Sequence, residues 1–214
     1  MLAAIDPPRP RRNRHEEALS PRLAPIAFAA ALAGCSAAPP IHDYAKELDP
    51  SKHEYIVGIS DQLRITVWKN PDLSTDATVR PDGTITMPLL GDLRAARQTP
   101  SRIREEVKLR LAAYVKDESA VVTVAVTSVN SYRFTVAGNV ERAGVFTSQS
   151  YVSVAEAIAM AGGPTRFASP SQMVIVRQDS GKTRRIPVPY EDVRSGDHPE
   201  KDLVLVAGDT VFVP

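Results

Sequence analysis

The sequence predicts an α+β protein with two small domains, each made of short strands and an inserted helix. Three local patterns support this prediction. Apolar and polar residues alternate over 63–67, which is typical of a strand with one buried face. A capping-box pattern starts a helix at Ser153, and a Gly-Gly pair at 162–163 ends it. Two β-rich runs on either side of residues 179–182 predict a hairpin.

The first domain is predicted to span residues 54–129. After its opening strand, an Asp-Gly turn predicts a hairpin of strands 77–80 and 84–88. A helix then begins with Thr99 as its N-cap and with Pro100 in the first helical position, where a missing N–H costs no hydrogen bond. The predicted apolar face of this helix comprises Ile103, Val107, Leu111, Tyr114 and Val115.

A β-rich run at 120–127 closes the first domain, and the second domain is predicted over 130–214. The second domain begins with a strand at 132–136 and contains the capped helix and the hairpin described above. Two further strands, at 203–206 and 211–213, are predicted to complete it. Short strands with inserted helices in both halves are the basis of the α+β prediction.

The N-terminal region is interpreted as a signal peptide over residues 1–34, with Cys35 as a site of lipid attachment. Cys35 is the single cysteine, so it has no partner for an internal disulfide. It ends a Leu-Ala-Gly-Cys sequence that resembles a bacterial lipobox, directly behind an apolar stretch too short to span a bilayer. The alternative is a buried structural thiol near an ordinary cleavage site. The basic residues that precede the apolar stretch are Arg9, Arg11, Arg12, Arg14 and Arg22.

The residues that follow the signal peptide predict a lipidated tether over 35–53, with little regular structure from Ser36 onward. Ser36 stands where an aspartate would favour retention in the inner membrane. The predicted location is therefore the outer membrane, with the chain anchored by its lipid and facing the periplasm.

The charge balance argues against a nucleic-acid partner. Removal of residues 1–34 takes away five of the 26 basic residues and three of the 25 acidic residues, so the mature chain carries a net charge close to −1. Such a balance offers no basic surface for nucleic acid. The apolar fraction of 43% is sufficient for real hydrophobic cores.

The sequence offers no set of residues for catalysis or for metal binding. Its four histidines, at 15, 42, 53 and 198, are dispersed and lack metal-ligand spacing. There is no Gly-x-Ser-x-Gly motif, and Gly181-Lys182-Thr183 is explained by a hairpin turn because Val176 stands where a phosphate-binding loop needs its first glycine. The prediction is a protein with no catalytic residues, no cofactor and no metal.

Several spaced motifs together resemble the Wza-like polysaccharide export family of outer-membrane lipoproteins. The stretch from Tyr55 to Trp68 is similar to the opening segment of the family's export domain, and residues 79–91 are similar to its Asp-Gly and Pro-x-x-Gly signature. From Tyr132 onward the chain resembles an SLBB domain, the soluble-ligand-binding β-grasp module that follows the export domain in this family. The resemblance implies an α+β fold whose second domain is β-grasp-like.

The resemblance also implies a function and a set of partners. The implied function is export of a capsular or secreted polysaccharide without catalysis, through a homo-oligomeric ring. The implied partners are the polymer, an inner-membrane polysaccharide copolymerase and, because the chain stops at Pro214 without the family's pore helix, a separate outer-membrane channel of the β-barrel type. The alternative is a periplasmic module that binds a glycan or another small ligand and is not itself a conduit.

Overall fold

The structure is a computed structural model, and it describes residues 42–114, 121–179 and 181–214. The signal peptide, Cys35 and the first part of the predicted tether lie outside the described residues, as does Val115 of the predicted helical face. The described residues contain two separate hydrophobic cores, which lie within one compact unit of residues 40–214. The α+β prediction is confirmed.

The first core lies between a small antiparallel sheet and a helix. Strand β1 (Gln62–Val67) is central, between β2 (Thr75–Thr78) and β5 (Val122–Ser128). Helix α1 (Pro100–Leu111) packs against β5. Thr99 is its N-cap as predicted, because the Thr99 hydroxyl accepts a hydrogen bond from a backbone N–H of the first turn. Strand β1 contributes Leu63, Ile65 and Val67 to this core, and α1 contributes Ile103, Val107 and Leu111. Tyr114, beyond the helix, is exposed.

The hairpin predicted around the Asp-Gly turn is wrong in its pairing. Strand β3 (Thr84–Met87) pairs with β4 (Gly91–Arg94), and the preceding strand β2 pairs with β1 instead. The turn itself forms, since the N–H of Gly83 donates to the carbonyl of Arg80 at 2.8 Å. The strand before the turn does not pair with β3, because Val79 exchanges backbone hydrogen bonds with Ser60 and Asp61, the residues that precede β1.

The second core lies on one face of a five-stranded mixed sheet in the order β7-β6-β10-β8-β9. The strands are β6 (Arg133–Gly138), β7 (Gly144–Thr147), β8 (Val174–Asp179), β9 (Lys182–Pro187) and β10 (Thr210–Val213). The last strand, β10, lies parallel to β6 at the centre, and the other pairs are antiparallel. This arrangement, with a helix between β7 and β8 in sequence, is that of a β-grasp domain.

Helix α2 (Val154–Met160) has the predicted capping box and the predicted end. The hydroxyl of Ser153 accepts from the N–H of Glu156, and the Glu156 carboxylate accepts from the N–H of Ser153. Gly162 and Gly163 both have positive φ, and their N–H groups satisfy carbonyls of the last turn. The chain then passes through the β8 and β9 hairpin to the short helix α3 (Tyr190–Ser195).

The strand predicted at 203–206 does not form. Only Val204 makes an isolated bridge, to Ser153, while Leu205 is buried and donates its N–H to the carbonyl of Val152. The apolar run therefore serves to cover the start of α2 rather than to extend the sheet.

Residues 42–53, which we call the strap, differ from the prediction of an unstructured tether. The strap contains two short 3-10 helices, Tyr44–Lys46 and Pro50–Lys52. The hydroxyl of Tyr44 donates to the carbonyl of Pro187 at 2.9 Å, which places this part of the strap on the second domain. The composition of the segment is polar, but its ion pairs with the second domain, described below, hold it in place.

Candidate interdomain site

The carboxylate of Asp61 joins the two domains. Asp61 lies at the end of the turn before β1 and is completely buried. One of its oxygens accepts from the backbone N–H groups of Asn130 and Ser131, each at 2.8 Å. The other accepts from the N–H of Gly58, the hydroxyl of Tyr55 at 2.6 Å and the hydroxyl of Ser131. Because residues 130 and 131 connect β5 to β6, this carboxylate fixes the link between the two cores.

The charge of Asp61 is stabilised by hydrogen-bond donors and not by a cation. Its five donors are two hydroxyls and three backbone N–H groups, and a buried carboxylate needs such partners in place of water. Burial and the neighbouring Asp61 raise the pKa of Tyr55 well above its usual value. Tyr55 therefore stays protonated and continues to donate its hydrogen bond at any physiological pH.

A second buried aspartate, Asp209, lies in the same kind of turn before β10. The N–H of Val206 donates to the Asp209 carboxylate at 2.8 Å, just as Gly58 donates to Asp61. The residue before each aspartate has positive φ, +92° at Gly208 and +76° at Ser60. The segments before β1 and β10 therefore form equivalent turns.

Asp209 belongs to a buried cluster of charges that binds the strap. Two nitrogens of Arg177 donate to Asp209, at 2.7 and 3.0 Å. A third nitrogen of Arg177 lies 3.5 Å from the carboxylate of Glu47, whose side chain is only 2% exposed. Arg184 and His42 also contact Glu47. Two carboxylates and two guanidinium groups balance one another, and of the two guanidinium groups that of Arg177 is shielded from water whereas that of Arg184 is 44% exposed.

The residue directly after the strap, Glu54, fixes that end of the strap to helix α1. The carboxylate of Glu54 accepts from the N–H of Ser101 at 2.8 Å, in the first turn of α1. The segment from His42 to Glu54 therefore runs from the second domain to the first and has a fixed partner at each end.

Two neighbouring cavities lie beneath the strap. The larger has a volume of about 410 Å³, and its walls include Leu48 and Pro50 of the strap, Tyr55, and Tyr132 and Tyr151 of the second domain. The smaller has a volume of about 310 Å³ and includes polar groups of β8 and β9. Both cavities are bounded by Leu48, Val206 and Ala207.

The residues singled out in the sequence are not brought together in a chemical site. Cys35 lies outside the described residues, and within those residues no cluster of three histidine, cysteine or acidic side chains can hold a metal. Gly181 and Lys182 lie at the turn between β8 and β9. Trp68, directly after β1, is 61% exposed. No helix among the described residues is long and apolar enough to cross a membrane.

Sequence reasoning missed the two buried aspartates and the partners of Glu47. The repeated turn before β1 and β10 was a usable signal for Asp61 and Asp209, since each aspartate precedes an apolar strand. No local signal marks Glu47, because its partners Arg177 and Arg184 lie about 130 residues further along the chain.

Comparison with known proteins identifies the two domains. The family described as polysaccharide biosynthesis/export protein matches residues 49–127, and the SLBB domain matches residues 133–187. The chain therefore carries a domain of the polysaccharide export family followed by an SLBB domain. The first core is thus its export domain, and the β-grasp sheet is its SLBB domain, to which the structure adds strand β10 beyond the matched residues.

Two curated relatives have names that describe polysaccharide production or export. The exopolysaccharide production protein ExoF of Rhizobium meliloti (strain 1021) is 32% identical over 127 residues, which cover 53% of this chain and 29% of ExoF. The capsule polysaccharide export protein BexD of Haemophilus influenzae is 24% identical over 174 residues, which cover 72% of this chain and 42% of BexD. The chain therefore spans less than half the length of either relative.

Proposed function

We propose that the chain is a non-enzymatic component of a machine that exports a capsular or secreted polysaccharide. The observation that carries this proposal is the match to the export family over residues 49–127, followed on the same chain by an SLBB domain. The names of the two relatives support the same substrate class. The polymer would pass without covalent change, by weak contacts that allow it to move.

In this proposal the chain works as a ring of identical subunits. A ring that encloses a polymer needs subunits whose two domains keep one relative orientation. Two sets of contacts support such a subunit: the hydrogen bonds of the buried Asp61 carboxylate, which we call the Asp61 joint, and the ion pairs of the strap. The joint fixes the link between the export and SLBB domains, and the strap runs from one domain to the other. The inner-membrane copolymerase would deliver the polymer to the ring, and a separate outer-membrane channel would complete the path.

Cys35 is proposed as the site of lipid attachment, with the ring anchored in the outer membrane and facing the periplasm. The support is the lipobox-like sequence around Cys35 and its position behind the apolar stretch. The strap begins seven positions after Cys35, so the lipid anchor and the segment that bridges the two domains would be close along the chain.

If the subunits form a ring, the mass of the native complex is a multiple of the subunit mass. The chain, extracted from membranes in mild detergent with its lipid intact, is expected to run in native mass spectrometry as a closed homo-oligomer. An outer-membrane channel protein is expected to copurify with it. Replacement of Cys35 by alanine provides the control, since the variant should no longer be recovered in the membrane fraction.

A stable monomer in the same measurement would contradict the ring. A monomer that carries a discrete glycan would instead favour the second candidate, a periplasmic glycan-binding module. The observation that favours this second candidate is the pair of cavities beneath the strap, since a binding module needs a concave site of this size.

A further inference from the structure

The larger cavity beneath the strap has the size and the lining of a small-molecule site. Its volume of about 410 Å³ lies within the range of roughly 300–1,000 Å³ that is usual for ligand pockets. It is bounded by the strap, the start of the export domain and the SLBB domain. Its walls are mainly apolar, with a few polar groups, a combination that orients a ligand while it buries most of the ligand's surface.

Three tyrosines from separate segments line this cavity, and two of them are held rigidly. The hydroxyl of Tyr132 donates to the carbonyl of Leu205 at 2.9 Å and accepts from the N–H of Val152 at 3.1 Å. The hydroxyl of Tyr55 donates to Asp61. The rings of these two residues are therefore fixed before any ligand arrives, so little side-chain entropy would be lost when a ligand binds.

The third tyrosine, Tyr151, has a hydroxyl that is available to a ligand. Its ring stands edge-on to that of Tyr132, with a centroid distance of 5.5 Å and an interplanar angle of 85°. Burial raises the pKa of Tyr151, so the hydroxyl remains a donor. Within the part of the chain that the structure describes, no group is hydrogen-bonded to it. A partly buried phenol in a cavity wall thus presents one apolar face and one unused polar group.

We propose that this cavity binds a pyranose unit of the exported polysaccharide, an inference that rests on the proposed function. A pyranose ring has an apolar C–H face and a rim of hydroxyls, and Tyr151 offers an aromatic face and a hydroxyl to match them. The smaller cavity shares Leu48, Val206 and Ala207 with the larger one and contains the polar side chains of Gln178 and Arg184. It would receive the next unit of the same chain, so the ligand is an oligosaccharide segment rather than a free monosaccharide.

Filling the cavity tests the inference without removing any native contact. Ala207 is exposed, borders both cavities and has an ordinary backbone conformation, so the variant Ala207→Phe places a ring where the sugar would lie. The probe is a fluorescently labelled hexasaccharide prepared from the polymer that the source bacterium exports. The full-length protein in detergent is expected to bind it saturably, as measured by fluorescence anisotropy. Ala207→Phe is expected to weaken binding by about tenfold or more.

A matched control uses the same substitution elsewhere. Ala113 is exposed directly beyond α1 and borders neither cavity, so Ala113→Phe should bind the hexasaccharide like the unmodified protein. Tyr151→Phe provides a second test that retains the ring and the packing against Tyr132. It is expected to weaken binding by a smaller factor, about threefold, because only the free hydroxyl is lost.

Unchanged binding by both Ala207→Phe and Tyr151→Phe would overturn the inference, as would the absence of saturable binding by the unmodified protein. These results are distinguishable from failure of the proposed function, which is measured in cells. If deletion of the gene stops export while cavity variants bind normally, only the cavity assignment is wrong. If deletion leaves export intact, the proposed function fails whatever the binding result.

Discussion

Replacement of Asp61 by asparagine is expected to lower the free energy of unfolding by about 3–5 kcal/mol. All five groups that face Asp61 donate hydrogen bonds. An asparagine side chain has the same shape, but its NH₂ group would face the donors of one carboxylate oxygen, and the backbone N–H among them would be left unpaired in a completely buried site. Urea denaturation followed by circular dichroism measures the change.

The control for this prediction is Asp76→Asn, which makes the same chemical change at the surface. Asp76 pairs with Arg64, and both side chains are more than half exposed. Exposed pairs of this kind contribute little to stability, so this variant should unfold like the unmodified protein. Similar unfolding curves for Asp61→Asn and Asp76→Asn would contradict the role assigned to the joint.

Loss of the joint should also separate the two domains. In Asp61→Asn the single remaining oxygen can serve only one of the two sets of backbone donors, so either Gly58 or the pair Asn130 and Ser131 lose their acceptor, and hydrogen exchange at those N–H groups is expected to become faster. Exchange in the centre of the SLBB sheet, at β10, should change less. This pattern would place the defect at the link between the cores rather than in either core.

Replacement of Arg177 by methionine is expected to destabilise the protein by about 3–5 kcal/mol and to release the strap. Arg177 is 5% exposed and lies between the carboxylates of Asp209 and Glu47. Without it, among the residues that the structure describes, Asp209 keeps no cationic partner and Glu47 keeps only Arg184 and His42. Chemical denaturation measures the stability, and limited proteolysis within residues 42–53 reports release of the strap.

The variant Arg184→Met provides the matched control. Arg184 also contacts Glu47, but 44% of its side chain is exposed, and water can replace part of the interaction. We expect less destabilisation than in Arg177→Met and slower proteolysis of the strap than in that variant, because Glu47 keeps Arg177 and His42 as partners. Equal effects of Arg177→Met and Arg184→Met would show that the buried position of Arg177 is not what holds the strap.

The elements that could be predicted from the sequence are those encoded by neighbouring residues. The alternation over 63–67, the capping box at Ser153 and the hairpin around residues 179–182 all depend on contacts within a few positions. Each of these predictions is confirmed. The strand order of the SLBB sheet could be expected only from the family resemblance, because its central strand β10 lies at the end of the chain.

The predictions that failed depended on distant partners. The Asp-Gly turn at residues 82–83 was recognised, but the strand before it pairs with β1 because Val79 bonds to the backbone of Asp61 and Ser60. The strap was expected to be unstructured because its composition is polar, and the buried arginine that holds Glu47 is far away in sequence. Composition describes the average behaviour of a segment and does not reveal one specific buried ion pair.

The candidate site shows the same difference between features encoded by neighbouring residues and features that depend on distant ones. The prediction that the chain lacks a catalytic set depended on motif spacing, whereas the cavity with its three tyrosines is assembled from segments around residues 55, 132 and 151. Nothing in the local sequence connects these positions. The lipid attachment at Cys35 remains a prediction from the sequence.

The amount and location of polysaccharide in a strain that lacks this protein test the central claim most directly. If the chain acts in export, polymer outside the cells falls to background, polymer accumulates within the cell envelope, and the intact gene restores export. Normal export by the deletion strain would contradict the account. Loss of external polymer without any accumulation inside would also contradict it, because that result would place the protein in synthesis rather than in export.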